Sequence, residues 1–495
     1  MSISNSAVAR VVGIEVNFKD LRAGQILFLP QRIAIVAQGS DAVTYASTPR
    51  QISNQKEAGE TYGFGSPIHL ASLELFPVNG DGVGTLPVTV YPLDKDGAGV
   101  ASAGTSTQAG SQTTSASYQV KVNGILSDPF TILSGAAAAS VAVQMAAAIN
   151  GVVAMPVIAV DNAGVLELTA KWSGVSSNDI QVEIIGVEAG ITFTVTAMTG
   201  GLVNPDVDDA LALITSVWET FIINQMEPGD VVTLGKFQAW GDPRWGDDAQ
   251  NPDVTMPAVV MTGEPEADIA VAETIPSGRK TDRVNAYATL QGSTNLPIQI
   301  AARAVAREAV VADNNPPQDY AGNRLTGLEI GASDDFWSYV ERDRAVKAGL
   351  STVELVDGIA ELSDTVTFYH PDGEPVPAYR YVVDIVKLQQ IIFNTRLIFA
   401  RDDWNGSPLL PDNQATINPT AKRPKDAIAE VSAMIDSLAL NAIISDPDFA
   451  KASIVAAIDS QNPKRLNVTF TVKLSGNTNI IAVDLNFGFF FGGTS

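Results

Sequence analysis

The most constraining stretch of the chain is its C-terminal "RLNVTFTVKLSGNTNIIAVDLNFGFFF". Leu466, Val468, Phe470, Val472 and Leu474 alternate with polar residues, and after "SGNTN" the register resumes at Ile481, Val483, Leu485, Phe487, Phe489 and Phe491. A period of two puts every second side chain on one face of a strand, so both runs predict half-buried β-strands. The Gly and Asn between them suit a tight turn, which predicts an antiparallel hairpin. A two-stranded ribbon is not stable alone in water. Its apolar face has to be covered, and its open edge has to be paired by this chain or by another.

The N-terminal end poses the same problem. Val12, Ile14, Val16 and Phe18 alternate loosely with no partner strand nearby in sequence, while "RAGQILFLPQRIAIVAQG" predicts two short buried strands flanking Pro30. From the pattern alone, the ordinary outcome is that both ends complete the chain's own sheet, since most terminal hairpins are intramolecular.

Between the ends the pattern changes several times. "MPAVVMTG", "RVNAYATL" and the helix "LPIQIAARAVAREAVVA" alternate strand and helix as a parallel α/β sheet does. Residues 85–202 read as an inserted α+β module. It opens on the Gly/Ala/Ser/Thr-rich "KDGAGVASAGTSTQAGSQTTSAS", expected to be a linker or surface loop, and continues with an alanine-rich helix and the strands "VLELTAKW", "DIQVEIIGV" and "ITFTVTAM". The last section starts with the helix "RYVVDIVKLQQIIFNTRLIFA". A second helix begins at Pro424, a residue suited to the first helical position, and places Ile428, Val431, Ile435, Leu438 and Ala442 on one face. The expected division is an arm (1–20), a discontinuous α/β core (21–84 and 203–378), a peripheral insert facing solvent (85–202) and a C-terminal section with the hairpin (379–495). The fold class is thus α/β plus α+β, in several domains, as 495 residues also require.

Charge sharpens this picture. The net charge of −24 argues against direct nucleic-acid binding, which needs a basic face. From Arg380 onward 11 basic and 11 acidic residues cancel, so the whole excess lies before that point. Charged residues are only 17% of the chain, which fits a surface largely covered in an assembly. Within the neutral section "NPTAKRPKD" gathers Lys422, Arg423 and Lys425 at a helix start, where the helix dipole disfavours cations. These three are candidate contacts to an acidic partner. The absence of cysteine excludes disulfides and thiolate metal sites and is comfortable with an intracellular origin; neither a signal peptide nor a membrane span is expected.

No catalytic constellation emerges. His69 and His370 lack the neighbours of a helical metal site, and G-x-S-x-G does not occur. "NGDGVGTLP" is followed by Pro87 and a strand-like run rather than a phosphate-cradling helix. "LDKDGAG" begins like a calcium loop at Asp94 and Asp96 but has Thr105 where a bidentate Glu belongs. No cofactor or metal is expected.

The segments "AGNRLTGLEIG", "AVKAGLSTVELVDGIAELSDTVTFY", "YRYVVDIVKLQQIIFNTRLIFARDDWNG" and the closing hairpin, in this order, resemble the contractile-tail sheath proteins of Mu-like bacteriophages, most specifically over residues 320–495. The resemblance implies a non-enzymatic subunit with a subtilisin-like α/β core lacking that fold's protease motifs. Such subunits polymerise around an inner tail tube, meet baseplate and tail-terminator proteins, are assembled in the host bacterial cytoplasm, and contract to drive the tube through the cell envelope. It also implies that Val12, Ile14, Val16, Phe18, Ile481, Val483, Leu485, Phe487 and Phe489 pair with neighbouring subunits, and that the C-terminal section, with Lys422, Arg423 and Lys425, lies toward the tube. A surface-layer or adhesin-like binding protein is the alternative from another class, and a tail-associated glycan hydrolase is a third.

Overall fold

The computed structural model describes residues 26–187, 189–246, 254–374 and 377–479, together with 481, 483 and 485. It divides into two units: Pro30–Gln389 with the chain beyond Gly476, and Gln390–Gly476 with the segment up to Leu29. The chain passes from one to the other within a single helix, Val382–Phe399.

The larger unit is built on a six-stranded sheet of β1 (Ile33–Gln38), β2 (Arg50–Ile52), β3 (Val88–Leu93), β4 (Phe221–Asn224), β5 (Val259–Glu264) and β6 (Asn285–Thr289), in the order β6-β5-β4-β1-β3-β2. All neighbours are parallel except β2, which runs antiparallel to β3. Every residue of β1, β3, β4, β5 and β6 is buried, as expected of a parallel sheet covered on both faces. The side-chain period of two divides each strand between two clusters. Ile33, Ile35, Val88, Phe221 and Met261 face helices α1 (Pro67–Leu75) and α2 (Pro297–Asn314) through Ile68, Leu75, Ala301 and Val305. Ala34, Val36, Tyr91, Ile222 and Val260 face Val207, Leu211, Ile214 and Phe237 on the other side. The approach of α2 is close: a Cβ on Gly263 would sit 2.0 Å from the Pro297 carbonyl oxygen, so only glycine fits there.

The first strand of the expected insert therefore belongs to the core. Val88–Leu93 hydrogen-bonds along the whole of β1, and the module proper starts near Val100, which bridges to Leu202. The Gly/Ala/Ser/Thr stretch is not a linker: Ala101–Gly110 is a strand between Val165–Ser173 and Ile191–Val195. Its inward residues Ser102, Gly104 and Ser106 are small because the neighbours are close. A Cβ on Gly104 would lie 2.8 Å from Met198 Sδ. A second small sheet pairs Ala116–Val122 with Val182–Gly186, and the helix Ala138–Gly151 buries Val141, Met145 and Ile149 in the same apolar cluster as the core sheet.

Val231–Gly241, on the far face of the sheet, is started by Asp230, whose Oδ1 accepts from Thr233 N at 3.0 Å while Oδ2 accepts from Thr233 Oγ1 at 2.8 Å and Asn204 Nδ2 at 3.1 Å. Replacing Asp230 with Ala removes one of the few partners available to the helix's free N–H groups and is expected to cost about 1–2 kcal/mol, read as a lower denaturant midpoint at unchanged slope.

In the smaller unit, helix α3 (Val382–Phe399) contributes its C-terminal half and α4 (Pro424–Leu440) buries Ala427, Val431, Met434, Ile435 and Leu438 along one face; of the expected set Ile428 is only half-buried and Ala442 lies beyond the helix end. "QILFLP" is not a strand. The N–H groups of Ile26, Leu27 and Leu29 donate to Ser437 Oγ (3.0 Å), Asn394 Oδ1 (3.0 Å) and Gln390 Oε1 (2.7 Å), so helix side chains take the place of a β ladder.

Of the predicted hairpin the first arm is described, while most of the second lies outside the described residues. Among the described residues Leu466–Thr469 pairs antiparallel with Val455–Ile458, and Lys473–Leu474 with Ile444–Ser445. The sequence did not show these upstream partners, because "VAAI" and "IS" are too short to announce themselves as strands.

Candidate assembly surfaces

The ribbon of Val455–Ile458 and Leu466–Thr469 lies against α4. Leu466 and Val468 point inward opposite Ile458 and Ala456, yet all four are only half-buried, and Val455 is exposed on the other side. Each strand of this ribbon has one edge without a ladder partner among the described residues. A half-covered apolar face with open edges is an incomplete sheet.

Ile481, Val483 and Leu485 lie outside any strand at 78%, 77% and 78% exposure, an alternating set of aliphatic side chains presented to solvent. Val12, Ile14, Val16, Phe18, Phe487 and Phe489 lie outside the described residues.

The three candidate cations differ from one another. Lys422 is largely used within the subunit: its Nζ is 2.6 Å from Asp403 Oδ2 and lies 4.8 Å above the Trp404 ring. Arg423 donates through Nη2 to the Gln414 carbonyl at 3.2 Å. Lys425 is exposed, with no ion pair among the described residues. The dipole problem at this helix start is met by carboxylates: Asp426 Oδ2 accepts from Arg423 N at 2.8 Å and Asp412 Oδ1 from Lys425 N at 2.9 Å.

Both histidines have structural surroundings. His69 is buried, its Nδ1 accepting from Gly65 N at 3.1 Å, and burial with nearby Lys171 holds its pKa down to about 4. His370 Nδ1 lies 2.6 Å from the Phe368 carbonyl oxygen. In "NGDGVGTLP" the Asp81 carbonyl accepts from Arg303 and Arg307 at 3.1 Å each, so this turn anchors α2.

Strand order reverses between β1 and β4, the place where open parallel sheets commonly hold ligands beyond their carboxyl ends. Here the insert fills it. Gln38 N donates to Gln225 Oε1 at 2.5 Å, and Gln225 Nε2 donates to Gln38 Oε1 at 2.9 Å and to Ser176 Oγ at 3.1 Å. Ser176 in turn accepts from the buried Trp172 Nε1 at 3.2 Å. The insert is thus bonded through Ser176 to the carboxyl ends of β1 and β4 rather than only facing solvent.

Beside this plug lies a cavity of about 780 Å³ lined by Asp179, Gln181, Glu264, Glu266, Ser293 and Asn295 among others. Burial pushes the Asp179 carboxyl up to about 7, with Glu227 adding to the shift. Burial likewise pushes Glu264 up to about 7, against the bond it accepts from Glu266 N at 2.9 Å, with Glu266 and Asp179 adding repulsion. Sequence reading missed this group because its members come from three distant segments. The one available signal was the acidic residue ending the apolar run "VVMTGE".

No family model and no curated protein matches the chain. Among solved structures it is similar to the sheath tail protein Lin1278 from Listeria innocua, at 14% identity and a TM-score of 0.48 over 92% of this chain and 94% of that one. It is similar to the sheath tail protein DSY3957 from Desulfitobacterium hafniense, at 13% identity and a TM-score of 0.46 over 93% and 100%. A chain of the anti-feeding prophage baseplate gives 9% identity and a TM-score of 0.48 over 97% and 100%. Identities and TM-scores at this level assign neither family nor function. Among the described residues no helix is long and apolar enough to cross a membrane.

Proposed function

We propose that this chain is a sheath subunit of a contractile tail, a non-enzymatic structural protein that polymerises with copies of itself around an inner tube. The observation that carries the reading is the half-covered ribbon of Val455–Ile458 and Leu466–Thr469 together with the exposed, alternating Ile481, Val483 and Leu485. The described residues thus present both a half-covered ribbon and a row of exposed aliphatic side chains, and strand addition between copies satisfies both. The neutral section from Arg380 onward, with the whole −24 in the residues before it, supports packing at that end with charge held outward. The sequence resemblance over residues 320–495 supplies the kind of polymer: a tail sheath of the Mu-like type, with tube, baseplate and tail-terminator proteins as partners and a subtilisin-like core. Val12, Ile14, Val16, Phe18, Phe487 and Phe489 complete the shared strands on this reading, and Lys425 is the cation best placed to reach the tube.

The purified full-length chain is expected to form long tubes visible by electron microscopy. A protein that stays monomeric at high concentration across salt and pH overturns the proposal.

A further inference from the structure

Asn477 sits where the chain re-enters the larger unit, just ahead of the exposed arm. Its Nδ2 donates to the Pro317 carbonyl oxygen at 2.8 Å, which fixes the orientation of the amide, and its Oδ1 accepts from Lys387 Nζ at 2.6 Å. Lys387, on α3, is completely buried, and the same Nζ is 2.9 Å from Asp384 Oδ1 one turn earlier on that helix. Glu308, Asp319 and Asp384 all face the buried Tyr320, so the surroundings are rich in acid groups and poor in water. A fully buried amine held against a half-buried carboxamide and a half-buried carboxyl group supplies the components of a side-chain amide exchange.

We propose that Lys387 and Asn477 become joined by an isopeptide bond, with Asp384 carrying the protons. The Lys387 ammonium passes a proton to the Asp384 carboxylate. The freed amine attacks Cγ of Asn477, one bond beyond the oxygen it already touches, and a new Nζ–Cγ bond forms. Asp384 delivers that proton to Nδ2 and relays a second from Nζ; the Cγ–Nδ2 bond breaks and nitrogen leaves as ammonium. The charge that began on lysine departs with the leaving group, Asp384 ends as it began, and no oxidant or water is consumed. Three features favour the step: the reactants are pre-positioned, the amine is desolvated, and burial holds the Asp384 carboxyl above its ordinary range against the opposing pull of Lys387, which makes it a competent proton carrier.

Mass spectrometry of the intact, denatured full-length chain tests this directly. The expected mass is below that of the sequence by about 17 Da, one ammonia. Trypsin is expected to spare Lys387 and to release a branched peptide joining residues 381–396 to 474–495. Asn477→Ala is expected to show the full mass of its own sequence, and Asp384→Asn to slow joining by at least about tenfold. A wild-type chain at full sequence mass, both as free subunit and after polymerisation, with normal cleavage at Lys387, overturns the proposal whatever the variants do.

Discussion

Truncation after Asn479 is expected to abolish polymerisation while leaving a folded subunit. The described residues beyond that point, Ile481, Val483 and Leu485, are almost fully exposed, so their removal costs the isolated chain little. In a polymer they become buried. Covering an aliphatic side chain contributes roughly 1.5–3 kcal/mol, so these three alone account for about 5 kcal/mol per contact, or roughly a thousandfold or more in association. Backbone hydrogen bonds and the remaining arm residues add to this. The check is paired: an unchanged thermal melt and far-UV spectrum, with tubes absent by electron microscopy and a monomer by sedimentation. Tubes from the truncated chain would remove the arm from the assembly mechanism.

The second large effect is on pH dependence. In the folded chain Asp179 and Glu264 hold their protons up to about 7, whereas in the unfolded chain they ionise in the ordinary carboxylate range. Between those limits the folded state binds more protons, so stability falls as pH rises and levels off above about 7. Each group accounts for on the order of 3 kcal/mol of that fall, and their mutual repulsion makes the two contributions non-additive. The double variant Asp179→Asn, Glu264→Gln is expected to be less sensitive to pH between about 4.5 and 7.5 by several kcal/mol in urea titrations. Parallel pH profiles for variant and wild type would show that the cavity carboxyls do not control stability.

The sheet was legible because burial on both faces demands uninterrupted apolar runs: "RIAIVAQ", "FIIN" and "AVVMTG" can hardly be anything else. Helix α4 was legible from Pro424 and its spacing. What escaped was whatever depends on partners far away in sequence. Ala101–Gly110 offers only methyl, hydroxyl and hydrogen to its neighbours, so its strand character comes from the sheet it joins. Leu466–Thr469 announced a strand but could not name Val455–Ile458 as its mate. For the assembly surfaces, the arm's alternation was readable in one dimension. The pairing of Lys422 with Asp403, which leaves Lys425 as the available cation, was not, because it depends on how a loop folds back over a helix start.

The anchoring of Asn477 decides how tension would travel through a subunit. The chain leaves the sheet-bearing unit after Gln389 and comes back at Asn477, which touches Lys387 only two residues before the exit. A pull on the C-terminal arm is therefore resisted first at the buried end of α3, before it reaches the intervening Gln390–Gly476 stretch of the chain. Its half-covered ribbon can exchange partners or rearrange while the load path between arm and core stays taut.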